Sequence, residues 1–178
     1  MKIEYTLEKV DFLKYQLYAA SKSASIIKSR KKSRLLLPIV YFVLGVLLFV
    51  FADLIPALIF FGVGIAWYLI YPYYMKNRYI RHFEKYIDEN YKNRFGKLVT
   101  LEFEGEYIIA IDYIGESRLR IKEIAEINEI QDYIFLKFSS GESLILPKDR
   151  IVNTNELSTK IISDLGINYN IDLNWQWK

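Results

Sequence analysis

The chain has 178 residues, with 24 Lys and Arg against 21 Asp and Glu, one histidine and no cysteine. Its charge is segregated: residues 1–34 carry net +6, residues 76–100 net +4 and residues 101–178 net −6, while 35–75 hold a single charge, Asp53. This excludes a uniformly soluble globule, a disordered chain and a disulfide scaffold, and the missing thiols exclude thiolate catalysis, iron–sulfur clusters and cysteine-based zinc sites.

Lys2–Leu7 alternates polar and apolar residues and reads as a short strand. Residues 8–20 read as a helix with Val10, Leu13, Leu17 and Ala20 on one stripe. A basic collar, Lys28, Arg30, Lys31, Lys32 and Arg34, closes this N-terminal section, 1–34.

Two uncharged runs follow, 35–52 and 54–75. At 1.5 Å per residue they make helices of roughly 27 and 33 Å, matching a hydrocarbon core of ~30 Å. Neither has a polar face, and one or two residues separate them, so they predict a transmembrane hairpin over 35–75. Asp53 suits an N-cap and Pro56 the first turn of the second helix. Lys76, Arg78 and Arg81 follow the second run as the collar precedes the first, so the positive-inside rule sets both termini in the cytoplasm. Trp67 and Tyr71, with Tyr68, Tyr73 and Tyr74, form an aromatic belt at that interface. A cleaved signal peptide is not expected, because the apolar run starts 35 residues in and a second span follows at once. Helices in lipid associate through small residues. Gly45 and Gly62 lie at nearly equal depth from the turn, so Gly45 is expected to face a groove formed by Gly62 and Ala66.

Residues 76–96 continue as a juxtamembrane helix that Gly96 ends. From Leu98 the period changes to two. Val99, Leu101 and Phe103 supply one inward face, Tyr107, Ile109 and Ile111 the next; Leu119 and Ile121, 127–130, 133–138 and 144–146 follow, with turns at Gly105, Gly115 and 139–142. Five or six short antiparallel strands predict a small barrel or sandwich within 97–166. A helix closes it: Asn153 and Glu156 fit a capping box, Leu157, Ile161, Ile162 and Leu165 an apolar stripe, and Gly166 the C-terminal stop. The tail, 167–178, carries no assignable element.

Catalytic signatures are missing. His82 is the lone histidine, beside Arg81 and Lys85, and reads as an interfacial surface residue that can build neither a His-rich metal site nor a Ser–His–Asp triad. Glu102, Glu104 and Glu106 read as a solvated strand face rather than an acid–base pair. Gly62-Val63-Gly64 sits in an apolar run with no phosphate-loop context. The acidic bulk of the soluble part argues against nucleic acid as a partner. Glu102, Glu104 and Glu106 also occupy the hairpin where phosphoinositide binding would need clustered cations.

The run Ile121-Lys-Glu-Ile124-Ala-Glu-Ile127-Asn-Glu-Ile130-Gln-Asp-Tyr-Ile134-Phe-Leu136, then Gly141 and Leu146-Pro147-Lys148, has the rhythm of bacterial pleckstrin-homology-like (PH-like) modules. With Lys2–Leu7, the two apolar runs and Tyr91-Lys-Asn-Arg-Phe95-Gly96, the chain resembles the YcxB-like family of bacterial membrane proteins. The resemblance implies an α+β membrane protein: a two-helix hairpin in the bacterial inner membrane carrying a cytoplasmic PH-like barrel or sandwich capped by a helix. It brings no catalytic or cofactor residues with it. The expectation is a non-catalytic, cofactor-free interaction module with a protein partner of unspecified identity; a homo-oligomer stays open. The alternative is a sensor or immunity-type protein that acts through its hairpin on a membrane partner.

Overall fold

A computed structural model describes residues 1–151 and 168–177. The chain is α+β and divides into two units, Met1–Tyr15 with Glu84–Gln176 and Gln16–Phe83 with Trp177–Lys178.

In the first unit the chain opens with β1 (Lys2–Thr6) and the start of α1 (Lys9–Lys22). Six strands follow later: β2 (Leu98–Glu104), β3 (Tyr107–Ile111), β4 (Glu116–Arg120), β5 (Ile124–Glu129), β6 (Tyr133–Phe138) and β7 (Ser143–Pro147). They form two four-stranded sheets, β1-β2-β3-β4 and β7-β6-β5-β8, where β8 (Asn168–Ile171) runs parallel to β5 and every other pair is antiparallel. The expected barrel is therefore not closed. The 3-10 turn Ile121–Glu123 passes the chain from one sheet to the other, and no ladder among the described residues joins them. The tail, unassigned from sequence, supplies β8. The expected helix from Asn153 to Gly166 lies outside the described residues.

Register decides which residues are inside. Ile3 pairs with Leu101, Phe103 with Ile108, and Ile108 with Leu119. The buried face of the first sheet thus takes Ile3, Tyr5, Leu101, Phe103 and Ile108. Tyr107, Ile109 and Ile111, expected inside, pair with Glu104, Glu102 and Thr100 on the opposite face. In an apolar strand such as Tyr107–Ile111 both faces look alike, and a shift of one residue exchanges them.

β6 is buried on both faces except at Lys137. Helix α1 accounts for one of those faces. Tyr15 meets the Phe135 ring edge-on at 5.4 Å and donates to Ser143 Oγ at 2.6 Å. Phe12 packs on Tyr91 and Phe95, with ring centres 4.9 and 5.9 Å away. The expected stripe of α1 is corrected at its start: Val10 is exposed, while Asp11 and Phe12 are buried. Asp11 accepts the Glu8 N–H at 2.6 Å, the returning bond of a capping box, and this turns residue 11 inward. Gly96, at φ 65°, donates its N–H to the Leu7 carbonyl at 3.0 Å.

The second unit holds α2 (Ala24–Phe51), 28 residues long, and α3 (Leu54–Asn90), 37 residues long, as far as Phe83. Both overrun the uncharged stretches, because the collar and the 76–90 segment continue the same helices. Both are long and apolar enough to cross a membrane. In α2 the less exposed positions include Arg30, Arg34, Pro38, Tyr41, Gly45 and Leu48. In α3 they include Ala57, Phe61, Gly64, Trp67, Tyr71 and Met75. Spacings of three and four describe one seam on each helix.

Candidate functional site

The seam is where the structure departs most from the sequence reading. Gly45 is buried against Phe61, whose ring a Cβ at residue 45 would meet at 2.6 Å. Gly64 faces Pro38 and Tyr41, with its Cβ position 3.5 Å from Pro38 O and from Tyr41 Cβ. Tyr41 meets Phe60 at 5.9 Å and Phe42 meets Phe61 at 5.2 Å. Gly62 and Ala66 are exposed, and a Cβ at Gly62 would touch nothing. Equal depth is not equal azimuth. At 100° per residue, Gly62 and Ala66 each lie about 200° around the helix from Gly64. The three-and-four spacing through Gly64 was the signal that could have found the contact.

At the basic end of the hairpin a half-open cavity of about 750 Å³ lies between the two helices. From α2 it is lined by Ser29, Lys32, Ser33, Leu36 and Leu37, and from α3 by Trp67, Tyr71, Tyr74, Met75, Arg78 and His82, among others. Four residues singled out from sequence, Lys32, Arg78, Trp67 and Tyr71, come together here. His82, read as a surface residue, joins them. Tyr71 is buried at the base, and the Trp67 indole N–H is buried without an acceptor. Among the described residues, no acidic side chain lines the cavity.

The other basic residues go elsewhere. The Arg34 guanidinium stacks over Tyr68 at 4.1 Å, and Arg30 over Trp177 at 4.6 Å, whose ring also meets Tyr79 at 5.2 Å. Arg81 donates from Nε to the Asn77 carbonyl at 3.4 Å. Lys28, Lys31 and Lys76 are exposed.

The first unit gathers charge in two places. Arg150 donates to both carboxylate oxygens of the fully buried Asp11, at 2.7 and 2.8 Å, and to the Thr6 carbonyl at 2.8 Å. Tyr133 adds a 2.8 Å hydrogen bond to Asp11. Burial first, and the Asp11 carboxylate second, push the Tyr133 phenol well above its ordinary range. The arrangement saturates Asp11 and leaves it no lone pair for chemistry. The second place is Glu129, held by Lys148 and Tyr169. Burial opposes its ionisation, but the two hydrogen bonds outweigh burial and keep its pKa below the ordinary carboxylate value. Glu106 pairs with Lys122 at 2.7 Å on the solvated face, and Lys2 lies 3.7 Å from Glu102. Among the described residues no group of three or more His, Asp or Glu gathers for a metal ion.

An exposed apolar group is made by Leu98 at the start of β2, Ile111 at the end of β3, and Tyr113 and Ile114 in the turn after β3. The turn at its tip is braced, because Asp112 Oδ1 accepts the N–H groups of Ile114 and Gly115 at 2.8 and 3.2 Å.

Residues 103–159 match the family model of YcxB-like proteins. This YcxB-like segment covers about a third of the chain. It runs from Phe103 in β2 through β7 and leaves both long helices outside. The chain matches no curated protein and no solved structure. Within the YcxB-like segment lie Tyr133 and Arg150, so two of the three side chains of the Asp11 cluster come from it and the third from α1.

Proposed function

We propose that this chain is a non-catalytic, two-span protein of the bacterial inner membrane, with both termini cytoplasmic, that presents a PH-like module to a protein partner. The observation that carries the anchor is exposure. In the most apolar 18-residue stretches of α2 and α3 only 6% and 17% of residues are buried. A core helix of a soluble protein would be mostly buried, and exposed apolar patches larger than a few hundred Å² mark membrane or partner contact. Basic residues at the far end of both helices support the orientation. The YcxB-like match and the antiparallel order of β2–β4 and β5–β7 support the PH-like reading. The braced apolar tip Tyr113-Ile114 supports contact with a partner.

The test has two parts. A reporter active only outside the cytoplasm should be silent when fused after residue 178 and active in the turn at 52–53; the reverse overturns the topology. A photoreactive residue at 113 in intact membranes should give a discrete protein adduct that Ile114→Asp abolishes, while the same probe at Ser140 should give none. Equal labelling at both positions overturns the module.

A second reading has one observation of its own. Gly62 and Ala66, four apart, lie on the outward side of α3, where another membrane helix could approach closely. A sensor or immunity-type role would act through that face. Interchain crosslinking of a Gly62→Cys variant favours it.

A further inference from the structure

The cavity at the basic end of the hairpin has a polarity that follows depth. Its polar residues on α2, Ser29, Lys32 and Ser33, precede its apolar ones, Leu36 and Leu37. On the antiparallel α3 the order is reversed, from Trp67 and Tyr71 to Arg78 and His82. Both helices therefore place their polar lining at the same end. Counted from the turn at Ala52, Leu37 and Trp67 lie about 21–23 Å along their helices, and Lys32 and Arg78 about 30 and 39 Å. A hydrocarbon core of ~30 Å ends between these levels. The apolar half of the cavity thus lies at acyl-chain depth and the cationic half at headgroup depth.

We infer that this cavity binds one anionic glycerophospholipid, with its phosphate at Lys32 and Arg78 and its acyl portion against Leu37, Trp67 and Tyr71. The inference rests on the reading of α2 and α3 as membrane spans. Three independent features select this occupant. Lys32 and Arg78 give a lining with cations and, among the described residues, no carboxylate, which suits a phosphate and disfavours a cationic or acid-seeking ligand. The Trp67 N–H is a buried donor without a partner, and an acyl ester is the acceptor that a lipid lying along the cavity brings nearest to it. The volume, about 750 Å³, falls within the ~300–1,000 Å³ of sites built for a small molecule, and its base, Tyr71 and Leu37, is apolar. A soluble phosphate would use the cationic half and leave the apolar half unfilled.

The full-length protein is reconstituted into vesicles of equal phosphatidylglycerol and phosphatidylcholine, extracted in mild detergent and weighed intact by native mass spectrometry. One phosphatidylglycerol per chain should be retained in preference to phosphatidylcholine. The double variant Lys32→Gln/Arg78→Gln should lower that retention roughly tenfold or more, at about fivefold per basic residue. Trp67→Phe should lower it with an unchanged thermal melt. The control Lys28→Gln/Lys31→Gln removes as much collar charge outside the cavity and should retain lipid as the parent does. Equal loss in the control, or equal retention of the two lipids, overturns the site. Displacement by millimolar glycerol phosphate assigns the cationic half to a soluble phosphate and overturns the lipid. A chain that fails to enter vesicles overturns the spans themselves, an outcome distinct from a reconstituted chain that retains no lipid.

Discussion

Arg150 holds Asp11 through two guanidinium nitrogens, at 2.7 and 2.8 Å, across 139 residues of chain. The carboxylate is fully buried and the arginine side chain is 27% exposed. The pair joins the first turn of α1 to the segment after β7, and Tyr133 on β6 completes it.

Removing one partner leaves a charge stranded, which costs about 3–5 kcal/mol when the site is buried. Arg150→Met should therefore destabilise the first unit strongly, since Asp11 has no route to water. Tyr133→Phe removes a single hydrogen bond and should cost about 1 kcal/mol. Asp11→Leu combined with Arg150→Met should recover much of the loss. Chemical denaturation of the full-length protein in detergent, followed by circular dichroism, ranks the three. A double variant no more stable than Arg150→Met contradicts the account.

The helix seam predicts a disulfide. Gly64 and Tyr41 bring their Cβ positions to 3.5 Å, inside the ~3.5–4.5 Å range of disulfide bonds. The chain has no native cysteine. Tyr41→Cys with Gly64→Cys should crosslink within one chain on mild oxidation. Gly45→Cys with Gly62→Cys should not, because Gly62 faces away. Mobility on a non-reducing gel distinguishes them.

Glu129 predicts a pH effect. Its carboxyl ionises more readily in the folded protein than at its ordinary value of 4.5. The unfolded chain therefore binds the proton more tightly, and the stability that Glu129 contributes is fully present above about pH 4.5 and lost as pH falls through the lower folded value. The stability gap between the parent and Glu129→Gln should narrow on acidification from about pH 6 to pH 3. A gap that widens with acid reverses the sign and rules the assignment out.

Gly96 isolates a backbone cost. Its φ of 65° is left-handed, and a Cβ there would meet only Glu8 Oε1, at 3.6 Å. Gly96→Ala should cost about 1–2 kcal/mol through conformation alone. Gly96→Asn should cost less, since asparagine tolerates this region. Equal losses for the two would point to packing instead.

The sequence by itself determined what is local. Long uncharged runs, charge at their ends, period-two alternation and glycine turns are each written in neighbouring residues. Hence the uncharged parts of α2 and α3 and the strands β2, β3, β6 and β7 are legible between Leu35 and Pro147, and so is the YcxB-like likeness, whereas the sequence leaves Glu116–Arg118 of β4 and Ile124–Glu126 of β5 unassigned. Strand β6 matched at both ends, and the collar residues Lys32 and Arg78 were already singled out. Tertiary structure alone decided which faces meet. Tyr107–Ile111 is apolar on both sides, so only its register against β2 sends Ile108 inward and Ile111 out. Gly45 and Gly62 share a depth, but the turn of α3 aims Gly64 at α2 instead. Asp11 looks like an ordinary charge on a surface helix until Arg150 arrives from 139 residues away. Periodicity is a property of one segment, whereas register, azimuth and ion pairing belong to two, and the energy that selects among them appears only when both segments are in place.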